Sequence, residues 1–505
     1  MLNDVPPRHL GLIAYGAALV VALLWALVFP GWLSLRDMQV IDHPALSLAN
    51  FGFGATPARN APQDGVLAVV GQVVPASWVV RALLVATAAA CAWGCSLIGT
   101  TTWGKAAAMT VGVYNPFVIE RLLQGQWSLA IAAWLLPVIA ASKKHPRLGW
   151  LALWVASLTP TGLLLGLITA LVTGTARRRT LAIGVACSVP WLLPSVLAPP
   201  AALGTNVFVA RAEHGVGTLG SLLGLGGIWN AQASLPSREA GWARFGVVLF
   251  ALLATQFRRI PRALVLLAAG GLAACLFVTF GPTAWLVSTI PGAALFRDSH
   301  KLIALMIPAL VAAAGATGCA TGQPWRRRLL PAAVIVAALA QAPDAPAQLG
   351  ALKPVSSAAF ADHGMDTPRK LSGTALLVDP TVVSIDSRVM LNPWLKATEC
   401  LDSGQLIVDG QPTEAPNPGY VAARRAYDDQ DFDTLSDMGV AWVIHNGQVQ
   451  PVPKEGATDS SSAPRPWQWW LGLSLSLAWL LLGVLLVSPA TRTIAREGDR
   501  SSQRP

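Results

Sequence analysis

Residues 143–179 read KKHPRLGWLALWVASLTPTGLLLGLITALVTGTARRR. The apolar run 148–174 is long enough to cross a bilayer, which takes about 20 apolar residues as a helix. Yet Lys143, Lys144 and Arg147 precede it, and Arg177, Arg178 and Arg179 follow it. Short cytoplasmic loops collect Lys and Arg, so both flanks belong on one side and a single crossing does not satisfy them. Thr159-Pro160-Thr161 interrupts the run, and proline removes a backbone donor and breaks a helix. The run is therefore read as two short helices, either re-entrant or paired, or as a Pro-kinked structural pair. Broken helices are tolerated at membrane depth only where protein or a watery cavity satisfies the freed backbone. A polar cavity is expected beside this hairpin.

Further apolar runs lie at 11–34, 76–99, 105–121, 126–142, 180–197, 241–257, 263–280, 302–320, 328–342 and 467–488. With the broken pair they predict an all-α polytopic membrane protein of about 10–12 transmembrane helices. Of the 505 residues, 53% are hydrophobic and only 12% charged, and mean hydropathy is +0.52. Such values exclude a soluble cytosolic enzyme, a disordered chain and a coiled coil. A net charge of +10 would suggest nucleic acid in a soluble protein, but its distribution says otherwise. The N-terminal ten residues, the short basic loops and the tail after 488 hold 18 of the 36 Lys and Arg and three of the 26 acids, a net of +15; the remainder carries −5. The charge is a topology signal. It predicts a multi-pass plasma-membrane protein with both termini cytoplasmic, the large loops extracytoplasmic and no nucleic-acid partner. The first apolar run is too long for a signal-peptide core and lacks a small-x-small cleavage site, so it is expected to stay as a signal anchor. Of six cysteines, only Cys400 falls outside the apolar spans, which leaves no disulfide framework. Cys91 and Cys95 are read as core residues.

The expected organisation is a transmembrane domain over 1–342, an extracytoplasmic domain over 343–466, a last helix over 467–488 and a cytoplasmic tail over 489–505. Within 343–466, apolar runs at 375–378, 381–390, 405–408 and 440–445 read as strands and 419–438 as helix, which predicts a small α/β domain. Asp428, Asp429, Asp431 and Asp433 lack the glycine turn and closing Glu of a calcium loop and read as a solvated helix end. Residues 460–466 read as a linker. Trp467, Trp469 and Trp470 read as interface anchors.

No Walker A sequence, no Gly-x-Gly-x-x-Gly after a strand, no His-Glu-x-x-His and no Gly-x-Ser-x-Gly occurs, so ATP-driven pumping and serine hydrolysis lose support. Gly220–Gly227 reads as an interfacial helix and turn. The candidate chemistry lies in polar groups at the expected outer ends of spans. Asp37 follows the first span, with Arg36 before it and Asp42-His43 soon after; a carboxylate there can act as general base on a hydroxyl or simply cap a helix. Glu120 and Arg121 either pair with each other or meet substrate, and Gln126 and Trp127 beside them can hydrogen-bond and stack on a sugar. Arg211 and His214, with Glu213 between them, form another group, and Trp229-Asn230 closes the same loop. Arg297, Asp298, His300 and Lys301 precede a span; Arg and Lys at that depth suit a lipid phosphate or snorkel to headgroups.

The order of these elements resembles integral-membrane glycosyltransferases of the GT-C fold, in particular actinobacterial proteins similar to the mycobacterial arabinofuranosyltransferases. The matching elements are Asp37-Met38, then Pro57-Ala58-Arg59-Asn60-Ala61-Pro62 with Asp64, then Tyr114-Asn115-Pro116 through Glu120-Arg121-Leu122 to Gly125-Gln126-Trp127. Thr159-Pro160-Thr161-Gly162, Gly220 to Asn230, Phe296-Arg297-Asp298 with Lys301, and Met438 to Val443 continue it. The resemblance implies transfer of a sugar from a polyprenyl-phosphate-linked donor to a glycan or glycolipid acceptor on the outer side of the bilayer. It implies an acidic residue of the first outer loop as general base, here Asp37 with Asp42 as alternate. It implies basic residues of later loops on the donor phosphate, here Arg297 and Lys301 and then Arg211. Arg59, Glu120, Arg121, Gln126, Trp127, His214, Trp229, Asn230 and Asp298 complete the expected substrate-binding set. Many such enzymes carry adjacent acids in the first loop, whereas Asp37 and Asp42 are five apart. Some use a divalent metal; the acids here define no ligand set, and no cofactor is expected with certainty. Two other readings stay open: a non-catalytic scaffold of the same fold, and a lipid or glycan transporter. The second lacks internal repeats and mid-membrane charges in the sequence.

Overall fold

The computed structural model describes residues 7–54, 58, 60–197, 203–290, 292–319, 326–408, 410–453 and 465–488. Pro7–Leu24 (α1) opens the helical body, and a 3-10 turn carries the chain to Val28. The first span stops short of the expected residue 34, because Phe29, which precedes Pro30, turns extended, as a residue before proline prefers. Leu33–Leu35 (β1) and Met38–Val40 (β2) then form an antiparallel hairpin.

Gln63–Val70 (α2), Ala76–Ile98 (α3), Thr102–Val113 (α4), Pro116–Leu123 (α5) and Trp127–Ala141 (α6) follow. The run 105–121, expected as one span, is two helices. Asn115 adopts an extended backbone, its side chain accepts the Val118 N–H, and Pro116 takes the first helical position. This is a helix start, and it ends α4.

The 143–179 stretch folds as Pro146–Ala156 (α7) and Pro160–Thr173 (α8), packed on each other. Pro160 begins α8 and does not kink a continuous helix. Gly174, at φ +80°, ends it in the left-handed region. With 11 and 14 residues, the two helices rise only about 16 and 21 Å, against a hydrocarbon core of about 30 Å. Arg177–Leu197 (α9) follows.

Among the described residues, seven helices are long and apolar enough to cross a membrane: Leu10–Val28, Ala76–Ile98, Arg177–Leu197, Arg262–Phe280, Ser299–Ala316, Arg327–Leu352 and Trp467–Val487. The other runs read as spans form helices of 8 to 15 residues. The protein is thus a multi-pass helical membrane protein. α6, whose residues are almost all buried, forms its centre, while Val21, Trp93, Leu266 and Leu481 point outward. The last helix, Trp467–Val487, docks on the broken pair: Trp479 stacks on Trp154 at 4.3 Å and donates its indole N–H to the Ser157 hydroxyl at 2.9 Å.

Residues 345–453 carry the expected small α/β domain. Its strands are Thr374–Leu377 (β3), Val382–Ile385 (β4), Arg388–Leu391 (β5), Glu399–Leu401 (β6), Ile407–Val408 (β7), Gln411–Pro412 (β8), Val440–His445 (β9) and Gln448–Pro451 (β10). The main sheet has order β10-β9-β3-β6; β3 runs parallel to β6 and β9, and β10 is antiparallel. The expected single helix 419–438 is two, Pro418–Asp428 and Phe432–Asp437, separated at Gln430 (φ +58°). Trp32 and Ile41, which flank the first hairpin, belong to the apolar core of this domain together with Phe360, Met390 and Trp394. The first hairpin is therefore packed into the domain of residues 345–453, far along the chain from it.

Candidate active site

Arg36 and Asp37 form the two-residue turn between β1 and β2. Arg36 sits at φ +47°, uncommon for a residue with a Cβ. Four hydrogen bonds hold it there. Its N–H donates to Val389 O at 2.8 Å, its carbonyl accepts from Leu391 N at 3.2 Å, and its guanidinium donates to Leu123 O at 2.6 Å and Gln232 O at 2.7 Å. The Arg36 guanidinium thus turns to backbone carbonyls. Asp37 is exposed, and its N–H donates to Gln124 O at 3.1 Å.

Gly125, at φ +83°, packs against this turn, and a Cβ there would run into Leu35 O and Met38 N. Gly125→Ala is expected to destabilise the protein by about 1–3 kcal/mol and to speed hydrogen exchange in residues 33–40. An unchanged thermal midpoint in detergent together with unchanged exchange would show that the turn does not need this glycine.

The turn faces a cavity of about 480 Å³ between the helical body and the α/β domain. The α5–α6 connection supplies Gln126 and the start of α6 Trp127, and the α7–α8 turn supplies Thr159 and the start of α8 Pro160 and Thr161. Trp229 and Asn230 line it, as do Arg297, Asp298 and Lys301. The cavity expected beside the 148–174 hairpin is this one.

A chain of polar contacts runs behind the wall. Gln126 Nε2 donates to Asp37 Oδ2 at 3.0 Å, and Gln126 Oε1 accepts from Arg121 Nη1 at 2.7 Å. Arginine only donates, so the Gln126 amide has one orientation: oxygen toward Arg121, NH2 toward Asp37. Arg121 is fully buried and holds Asp298 through two bonds, at 2.6 and 3.0 Å, while its Nη2 also meets His300 Nδ1 at 2.8 Å. Lys301 Nζ stands 4.0 Å from the same Asp298.

Glu120 and Arg121 do not pair with each other. Successive residues of a helix do not face each other; Arg121 turns to Asp298 and Glu120 to Arg238, and His300 lies between them, 2.8 Å from Arg121 Nη2 and 3.7 Å from Glu120 Oε2. Glu120 accepts the Ile228 N–H at 3.1 Å and lies 3.8 Å from Arg238, which binds Glu213 through two bonds of 2.5 Å. Both Glu120 and Arg121 are buried and are not among the residues that line the cavity.

The other candidates separate. Asp42 does not line the cavity; its carboxylate accepts the Ser77 hydroxyl and its carbonyl the Ala76 N–H, at the start of α3. Arg211 pairs with Glu239 at 2.5 Å, away from the cavity, and His214 is exposed. Burial would raise the Glu239 carboxyl, but Arg211, together with Ser234 and Arg238, holds the group below its ordinary value. Arg59 lies outside the described residues. Trp229 meets Phe208 edge-on at 4.9 Å, and Asn230 donates to Gln124 Oε1 at 2.7 Å. Arg297 lies over Phe208 at 4.2 Å and donates to Glu414 Oε1 at 3.0 Å.

Several lining residues went unassigned in the sequence reading: Phe208, Lys396, Asp402 and Glu414. Lys396 meets Asp64 at 2.5 Å, and burial pushes the Asp402 carboxyl up. No local motif marks them. Among the described residues no three His, Cys, Asp or Glu groups are placed to hold a metal ion.

A multi-pass body with a split helical pair, an acidic turn after the first helix and an α/β domain closing over that turn is the GT-C-like fold. The chain is similar in structure to the arabinofuranosyltransferase AftD from Mycobacteria, seen by single-particle cryo-EM, with a TM-score of 0.51 and 17% identity over 87% of this chain and 35% of that one. The likeness is one of fold, and this chain spans about a third of that protein's length. No family model and no curated protein matches the sequence.

Proposed function

We propose that the protein is a membrane glycosyltransferase. It takes a sugar from a polyprenyl-phosphate-linked donor and transfers it to a hydroxyl of an envelope glycan or glycolipid on the extracytoplasmic face. The observation that carries this reading is the meeting of Asp37 with Arg297 and Lys301 on one cavity at the rim of the helical body. Asp37 takes the proton of the acceptor hydroxyl as its oxygen attacks the anomeric carbon. The bond from that carbon to the phosphate oxygen breaks, and the polyprenyl phosphate departs with its charge against Arg297 and Lys301. Gln126 fixes the Asp37 carboxylate and leaves its other oxygen, Oδ1, toward the acceptor.

The direct test follows labelled sugar from a polyprenyl-phosphate donor in membranes with and without the protein. Equal transfer in both overturns the proposal. Gln126→Leu removes a hydrogen bond to a charged group, and kcat is expected to fall by at least about tenfold with the donor KM unchanged. A raised KM with unchanged kcat would instead make Gln126 a sugar-binding residue. A non-catalytic scaffold of the same fold is the second reading, favoured by the engagement of Arg297 with Glu414. In that case membranes lacking the protein lose glycan in cells but not transfer in the isolated assay.

A further inference from the structure

Glu414 is donated by the α/β domain to a cation of the helical body. Its side chain is 2% exposed and that of Arg297 8%, and both face the cavity. Phe208 lies under the guanidinium and fixes its plane. Arginine meets carboxylates and phosphates through the same donor fork, so a carboxylate resting here occupies the position of a phosphate oxygen. Glu414 follows the short β7–β8 hairpin, whose strands pair with each other and not with the main sheet. The arm contacts the body through Leu203 N to Thr413 O at 3.0 Å and through the Glu414–Arg297 pair.

We propose that Arg297 is an anion seat whose resting occupant is Glu414, displaced when the phosphate of a lipid-linked substrate enters. The inference rests on the reading of Arg297 as the donor-phosphate residue. Leaving Arg297 deprives the buried Glu414 carboxylate of its partner, which is costly unless the group gains solvent or another donor. The entering phosphate must outweigh that cost, and this sets a threshold. A phosphate that brings lipid contacts along the helical body displaces Glu414, whereas a free phosphate does not. The seat therefore selects the lipid-borne anion over inorganic phosphate, which supplies the same headgroup chemistry.

The experiment titrates the full-length protein in nanodiscs with farnesyl phosphate and, separately, with inorganic phosphate, following tryptophan fluorescence. Wild type is expected to bind farnesyl phosphate and not inorganic phosphate. Glu414→Gln is expected to bind farnesyl phosphate on the order of tenfold tighter and to gain inorganic phosphate binding. The gain should vanish in the double variant with Arg297→Ala. If Glu414→Gln does not fold, Glu414→Asp keeps the charge with a shorter reach and is expected to bind more tightly than wild type. Folded variants that bind no tighter than wild type overturn the displacement while leaving the phosphate site standing. If Arg297→Ala binds farnesyl phosphate as wild type does, the phosphate reading of Arg297 itself falls, and the displacement with it.

Discussion

Asp37→Asn is expected to lower sugar transfer by about 10²–10⁴-fold, the range of a lost general base, while the protein accumulates in the membrane at its normal level. The asparagine keeps the shape of the side chain and still meets Gln126, but it has no basic oxygen for the acceptor proton. The turn itself does not depend on the carboxylate. Its anchors are the Arg36 contacts to Val389, Leu391, Leu123 and Gln232 and the backbone bond from Asp37 N to Gln124 O. Loss of activity with unchanged protein level is therefore the specific outcome, measured by labelled transfer alongside an immunoblot of the membrane fraction. Wild-type rates in the variant would remove Asp37 from the mechanism. Asp42→Asn serves as the comparison. Asp42 is turned to Ser77, so this variant is expected to retain transfer.

Arg238→Met is expected to produce the largest loss of stability, about 3–5 kcal/mol, the cost of stripping one partner from a buried pair. Arg238 has no exposed surface, binds Glu213 through two bonds of 2.5 Å and approaches Glu120 to 3.8 Å. Removing it strands the Glu213 carboxylate in the interior and takes the nearby positive charge from Glu120. The readout is the thermal midpoint in detergent. Adding Glu213→Leu should recover part of the loss, because burying two apolar side chains avoids the desolvation that the pair requires. A midpoint equal to wild type in Arg238→Met would show that these groups are solvated in the native protein.

Much of the architecture could be read from charge and proline. Two basic clusters around 148–174 argue against a single crossing, and Thr159-Pro160 supplies the helix start that splits the run into α7 and α8. The break at Asn115-Pro116 carried the same signal, but the surrounding apolar run masked it. Within the site, Asp37, Arg297 and Lys301 stand out because charge is so scarce in this chain, and the structure sets them around one cavity. Glu120 and Arg121 stand out for the same reason, yet they are buried and are not among the residues that line the cavity. Scarcity marks a group as important without saying whether it faces a ligand or a neighbour. Lys396, Asp402, Glu414 and Arg238 carried no local sign. The partners of Lys396, Glu414 and Arg238 are distant in the chain, as with Asp64, 332 residues from Lys396, and only the folded topology pairs them; Asp402 bonds to the nearby Gly404 N–H.

The tie between the first hairpin and β5 also sets a clock. A ribosome adds about 5–20 residues per second, so the Asp37 turn leaves synthesis roughly 20–70 s before Val389 and Leu391 exist to hold it. During that interval the growing chain carries the carboxylate but not the partners that orient it. The cavity can close around Asp37 only after the α/β domain has been made, so chains that stop early carry the acidic residue without a formed site.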